Sequence, residues 1–200
     1  MKIICIGRNY AEHAKELKNE LPTEPVFFMK PDTALLKEGV FYLPDFTTNL
    51  HHEIELVLKI SKAGKYIEEQ FAHKYFDEIG LGIDFTARDL QDICKAKGLP
   101  WEKAKAFDGS APIGGFFKKE DLQKEIAFEL KINGITKQVG NSKDLIFSFD
   151  KIIAYVSKFV SLKVGDLIFT GTPEGVGQVK IGDKLEGYLE GNKCLALDIK

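Results

Sequence analysis

The stretch HHEIELVLKI at residues 51–60 alternates in polarity with the period of a strand. Successive strand side chains point to opposite faces, so His52, Ile54, Leu56, Leu58 and Ile60 share one face and His51, Glu53, Glu55, Val57 and Lys59 share the other. The first set reads as core. The second set is expected to meet solvent or a cation, because two carboxylates two residues apart repel unless water or positive charge separates them.

Outward from this strand, the chain is rich in further strand signals. Residues 3–6, the run VFFM at 26–29 behind Pro22 and Pro25, and GLGID at 80–84 read as strands. FELKI, Asn133-Gly134 and ITKQV form a hairpin signal, since Asn-Gly supplies the two positive-φ residues of a type I′ turn. DLIFTG, KLEGYLEG and KCLALDI follow as short strands between Gly-containing turns. Helices are few. Asn9 is expected to cap a helix over Tyr10–Leu21, and Thr86 with Asp89 reads as a capping box for a helix that Gly98 closes. A third helix is expected in SFDKIIAYVSKFVSL behind a Ser148 or Asp150 cap. The pattern implies an α+β fold, strand-rich, with a rolled or sandwich-like sheet. No linker, repeat or low-complexity tract divides it, so 1–200 is expected to be a single domain whose N-terminal segment is mobile.

Composition narrows the function. With 28 Lys+Arg against 30 Asp+Glu the net charge is −2, and lysines are scattered among acids, so no basic stripe for nucleic acid exists. A chain of this size buries roughly 70% of its unfolded surface, enough for a core without disulfides. Cys5, Cys94 and Cys194 are widely spaced and form no Cys-x-x-Cys pair, which excludes a zinc ribbon or thiol redox motif and suits a reducing compartment, cytoplasmic by default. The opening MKIICIG is too short for a signal-peptide core or a membrane span, so no membrane partner is expected.

Asp84 ends the apolar run GLGI, where a strand delivers a side chain to the rim of a core. Glu53, Glu55 and Asp84 together make an all-oxygen ligand set with room for water, suited to Mg²⁺ or Mn²⁺ rather than zinc. His51 and His52 leave a mixed nitrogen and oxygen site open, although a His beside a strand carboxylate also serves structural roles. His13 and Glu16, three apart, share a helix face, as a carboxylate-oriented general base requires, and as an ordinary surface pair also would. Lys105 sits among Trp101, Ala104, Ala106 and Phe107, where a partly buried amine stabilises negative charge. GTPEGVG at 171–177 lacks the ending of a phosphate loop, but its N–H groups and the Thr170 and Thr172 hydroxyls suit a small carboxylate, or simply a well-formed turn.

The ordered set RNYAEHAKEL, KP at 30–31, LHHEIEL, GIDFTARDLQD, KGLPWEKAKAFD and FTGTPEGVG resembles the fumarylacetoacetate hydrolase family, particularly its short acylpyruvase-type members, over nearly the whole chain. The resemblance implies a mixed β-sandwich roll, like the family's C-terminal domain, and a homodimer. It implies Mg²⁺ or Mn²⁺ on Glu53, Glu55 and Asp84, with Arg88, Gln91, Lys105 and Thr172 contacting a small 2-oxo acid. His13 and Glu16 would lie on a segment, residues 8–24, that orders over the substrate and activates water. Arg88 is alternatively a support for Asp84.

The expected activity is metal-dependent hydrolysis of the carbon–carbon bond of a 2,4-dioxo acid, such as acetylpyruvate or fumarylpyruvate, to pyruvate and a carboxylic acid. The same enolate-stabilising site would serve oxaloacetate decarboxylation or tautomerisation, or isomerisation or hydration of an unsaturated 2-oxo acid. A metal-stabilised binding protein explains the three acids but leaves His13, Glu16 and Lys105 without a role.

Overall fold

The computed structural model describes residues 1–16, 21–37 and 39–200, and within it the deciding strand runs Ile54–Ile60. It lies fourth in a seven-stranded mixed sheet of order Val26–Lys30, Ile3–Gly7, Leu167–Phe169, Ile54–Ile60, Phe76–Ile83, Ala111–Lys118 and Leu35–Lys37. A five-stranded sheet follows the order Ile135–Asn141, Ala127–Ile132, Lys184–Leu189, Asn192–Ile199 and Gly39–Phe41. A small third sheet joins Gly177–Gln178, Leu50–His52 and Thr86–Ala87. The fold is α+β, strand-rich and curled, as the sequence pattern implies.

Alternation holds, but the face opposite the main core is not solvated. Ile54, Leu56, Leu58 and Ile60 join one large apolar cluster with Phe128, Leu130, Leu185 and Leu197 of the five-stranded sheet. On the other face Val57 packs in a second cluster with Ile3, Cys5, Leu167 and Phe169. The strand is therefore central, hydrogen-bonded on both edges and covered on both sides. Burying each such Leu or Ile contributes roughly 1.5–3 kcal/mol. Along the second face the side chains change character in steps, from Glu53 and Glu55 at one end, through Val57, to Lys59, which pairs with Glu78 at 2.5 Å.

Five helices are defined among the described residues: α1 (Ala11–Glu16), α2 (Glu69–Ala72), α3 (Arg88–Lys97), α4 (Glu102–Lys105) and α5 (Phe149–Phe159). α5 matches its pattern: Ser148 caps it by accepting from the Lys151 N–H at 3.2 Å, and Ile152, Ile153 and Val156 enter the main core. The hairpin turn also matches, with Asn133 and Gly134 at φ 53° and 78°. Gly98, at φ 62°, closes α3.

Three local expectations need correction. The helix expected over 10–21 is shorter: α1 covers Ala11–Glu16, Leu21 is non-helical and exposed, and residues 17–20, part of the expected lid, lie outside the described residues. Asn9 is not its cap. Its amide donates to the Phe147 and Thr170 carbonyls and accepts from the Phe147 N–H, tying the start of α1 to two distant segments. Nor do Thr86 and Asp89 form a capping box. Thr86 is fully buried beside Lys105, while Asp89 accepts from Thr47 and Thr48 and pins the turn before the Leu50–His52 strand. In both cases a long-range partner outcompetes the local one. No helix among the described residues is long and apolar enough to cross a membrane.

Candidate active site

Register carries the acids together. Glu55 pairs with Gly82 across the Ile54–Ile60 and Phe76–Ile83 strands, and the next step along the ladder sets Asp84 beside Glu53, whose carbonyl accepts the Asp84 N–H at 2.8 Å. Glu53, Glu55 and Asp84 each offer an oxygen within 4.8 Å of the others, and all three are buried. No histidine joins this group among the described residues: His51 meets Asn49 and His52 meets Gln138, so the mixed nitrogen and oxygen alternative does not hold.

Cations surround one side of the cluster. The Lys105 ammonium donates to Glu53 Oε2 at 2.8 Å, Asp84 Oδ2 at 2.7 Å and Thr86 Oγ1 at 2.6 Å, which uses all three of its protons. Arg88 pairs with the other Glu53 oxygen and donates to Gln91 Oε1 at 2.6 Å, so it supports Glu53 and not Asp84. Lys30 pairs with Asp84 Oδ1 at 2.7 Å and donates to the Phe85 and Ser110 carbonyls.

The acids are consequently unequal. Burial drives the Glu53 carboxyl upward, yet Lys105, Arg88 and His13 outweigh it and hold the group well below the usual carboxylate range. Glu55 goes the other way. Burial, with Asp84 and Glu53 alongside, pushes it well above its ordinary value, and the Gly171 N–H at 2.7 Å offsets only part of this. Burial also opposes charge on Lys105, but Asp84 and Glu53 win and raise it. Glu55 is pushed up because it alone of the three acids pairs with no cation among the described residues, a position that a divalent ion suits, and hard oxygen donors select Mg²⁺ or Mn²⁺. The residues fit a divalent ion.

Eight of the nine residues singled out in the sequence line one cavity: His13, Glu53, Glu55, Asp84, Arg88, Gln91, Lys105 and Thr172. The ninth, Glu16, sits behind His13, with Oε2 3.1 Å from its Nδ1 and Oε1 accepting from the Gly175 N–H at 3.1 Å. α1 is thereby latched onto the 171–177 loop. Gly171, at φ 107°, is required there: a Cβ would lie 2.7 Å from that of Asn9, and its N–H is the one that reaches Glu55.

Sequence reasoning missed the supports. Gln138, 1% exposed, accepts from the Ile54 N–H at 3.1 Å, meets His52 Nδ1 at 2.8 Å, and donates to Thr172 Oγ1 at 2.8 Å and to the Pro173 carbonyl at 2.9 Å. With its oxygen accepting from Gln138, Thr172 keeps its own O–H to donate. Lys30 and Asn9 are similar buried ties. Only the apolar neighbours VFFM ahead of Lys30 hinted at such a role.

A family model described as Fumarylacetoacetate (FAA) hydrolase C-terminal matches residues 2–199. The chain belongs to the fumarylacetoacetate hydrolase family. Within that family it is 44% identical over 201 residues to mouse oxaloacetate tautomerase FAHD1, mitochondrial, covering 99% of this chain and 91% of the relative. It is 40% identical over 196 residues to oxaloacetate tautomerase YcgM of Escherichia coli K12, covering 96% and 89%. Among solved structures it resembles fumarylpyruvate hydrolase from Pseudomonas aeruginosa in complex with Mn²⁺ and pyruvate, with a TM-score of 0.93, 38% identity, and coverage of 100% of this chain and 89% of that one. The chain is a catalytic, metal-associated member of this family, and Glu53, Glu55 and Asp84 are the group among the described residues that could hold a divalent ion.

These relatives correct two expectations. They favour the tautomerase alternative over the carbon–carbon hydrolase. The FAHD1 relatives are also named as mitochondrial, which overturns the cytoplasmic location. Unpaired cysteines report a reducing environment and do not distinguish one such compartment from another.

Proposed function

We propose that this protein catalyses the metal-dependent keto–enol interconversion of oxaloacetate. The observation that carries the reading is the match to named oxaloacetate tautomerases at 40–44% identity across nearly the whole chain, on a site whose acid and base groups suit a proton transfer.

Glu53, Glu55 and Asp84 would hold Mg²⁺ or Mn²⁺, which supplies Lewis-acid polarisation of a 2-oxo acid's keto group. In this reading His13 donates its Nδ1 proton to Glu16, which fixes the tautomer and leaves Nε2 as a base within the cavity. Enolisation takes one proton from C3, moves that C–H electron pair into a C2–C3 double bond, and places a proton on the C2 oxygen. No oxidant is needed. His13 accepts the C3 proton, Lys105 hands one of its three N–H bonds from the acids to the developing enolate oxygen, and that oxygen then takes a proton from solvent as His13 gives its own back to solvent. Arg88, Gln91 and Thr172 orient the carboxylate adjacent to the ketone. The same reading takes 1–200 as one catalytic domain acting as a homodimer.

Hydrolysis of a 2,4-dioxo acid is the second reading. The fumarylpyruvate hydrolase likeness and the His13–Glu16 pair, equally able to activate water, favour it. One assay separates the two. Absorbance of the oxaloacetate enol is followed with Mn²⁺-loaded protein, chelator-treated protein and His13→Ala, alongside pyruvate release from acetylpyruvate and fumarylpyruvate. The tautomerase reading expects fast metal-dependent enol decay, slowed about 100-fold or more by His13→Ala. Enol decay at the buffer rate contradicts it, and rapid pyruvate release from a dioxo acid in its place selects the hydrolase.

A further inference from the structure

Four cations line the cavity: Arg8, Arg88, Lys95 and Lys105. Two pair with the protein's own acids, Arg88 with Glu53 and Lys105 with Glu53 and Asp84. Arg8 and Lys95 make no hydrogen bond or ion pair among the described residues, although both are only partly exposed. Lys95 lies on α3, two turns beyond Arg88, with its ammonium 5.9 Å from the centroid of the Trp101 ring. Arg8 follows the Ile3–Gly7 strand at φ 60°, an uncommon conformation for a residue with a long side chain. The neighbouring Asn9, bonded to Phe147 and Thr170, holds the chain there.

Placing two unpaired cations in one half-enclosed cavity is costly. Burial, then the nearby positive charges of Arg88 and Arg8, draw the Lys95 ammonium below its ordinary value. Such an arrangement is retained where an anion completes it. The carboxylate beside the ketone is already given to Arg88, Gln91 and Thr172 in the proposed function, so the anion facing Arg8 and Lys95 is a different one.

We infer that Arg8 and Lys95 form a subsite for a second carboxylate, at the far end of the substrate, and so select dicarboxylic 2-oxo acids over monocarboxylic ones. The inference rests on the proposed function and adds the group that distinguishes oxaloacetate from acetylpyruvate. Trp101, which lines the cavity with its ring tilted against that of Phe28 at 5.8 Å, would wall the chain between the two ends of the ligand.

The test compares wild type with Lys95→Gln, Lys95→Arg and Arg8→Asn, asparagine being tolerant of the left-handed backbone. Rates of enol–keto interconversion are measured for oxaloacetate and acetylpyruvate, and calorimetry with Mn²⁺ and oxalate, which lacks a distal carboxylate, reports on the chelating end. Expected is a fall of about tenfold or more in the oxaloacetate-to-acetylpyruvate ratio of kcat/KM for Lys95→Gln and Arg8→Asn, expressed in KM, with recovery in Lys95→Arg. A ratio unmoved in Lys95→Gln, or an equal loss of oxalate binding, overturns the subsite. If wild type interconverts neither substrate, the proposed function fails instead.

Discussion

The two ends of the seven-stranded sheet both bury carboxylates and treat them oppositely. At one end Asp166, just ahead of the Leu167–Phe169 strand, accepts from the Lys2 and Lys163 N–H groups at 2.8 Å each and pairs with the Lys2 ammonium at 2.5 Å. Burial resists its ionisation, but these bonds hold it below the usual carboxylate value. At the other end Lys30 and Lys105 pair with Asp84, and Lys105 and Arg88 with Glu53, whereas Glu55 receives one N–H, from Gly171, and pairs with no cation among the described residues. A structural acid is saturated by the fold. Glu55 is held in place without a cation, a deficit that a divalent ion is suited to fill.

The largest break in this contrast is expected from Glu55→Gln. Turnover of the Mn²⁺-loaded protein should fall about 1,000-fold or more, while the metal-free variant melts no lower than wild type at neutral pH. The reason for the second outcome is sign: a buried acid raised above its ordinary value by Asp84 and Glu53 works against the fold once ionised. A melting temperature several degrees below wild type would place Glu55 with the structural acids.

Asp166→Asn should do the reverse, costing about 1–3 kcal/mol in urea denaturation while kcat/KM stays near wild type. Because the folded value of Asp166 is depressed, its stabilisation is present above about pH 4, the ordinary carboxylate range, and is lost on further acidification. The variant should therefore show a shallower acid limb, and an unchanged limb would remove Asp166 from this role.

The smallest effect sharpens the contrast within the site. Gln138→Leu frees the Thr172 hydroxyl and should lower kcat/KM about tenfold, through weaker 2-oxo acid binding, while Mn²⁺ affinity is kept. Loss of metal binding in that variant would show that Gln138 holds the carboxylates through Ile54 rather than the substrate through Thr172.

What the sequence made legible follows chain distance. Alternation over 51–60 placed Glu53 and Glu55 on one face, Asn133-Gly134 fixed a hairpin, and Ser148 capped α5, because each reads a contact between near neighbours. The ordered motifs carried the site residues that one cavity gathers. Local reading failed where a polar side chain chose a remote partner: Asn9 took Phe147 and Thr170, and Thr86 took Lys105. Burial of Glu53 and Glu55 was equally hidden, since the second apolar cluster covering that face draws on Ile3, Val57 and Phe169, each from a different strand. Gln138 lies in a hairpin strand whose neighbours Lys137 and Val139 are exposed, and nothing in ITKQV marks it as buried.

Calorimetric titration of Mn²⁺ into wild type and Glu55→Gln tests the charge deficit most directly. One ion per chain is expected for wild type and at least about tenfold weaker binding for the variant. Equal affinity in the two proteins, or no binding by wild type, would contradict it.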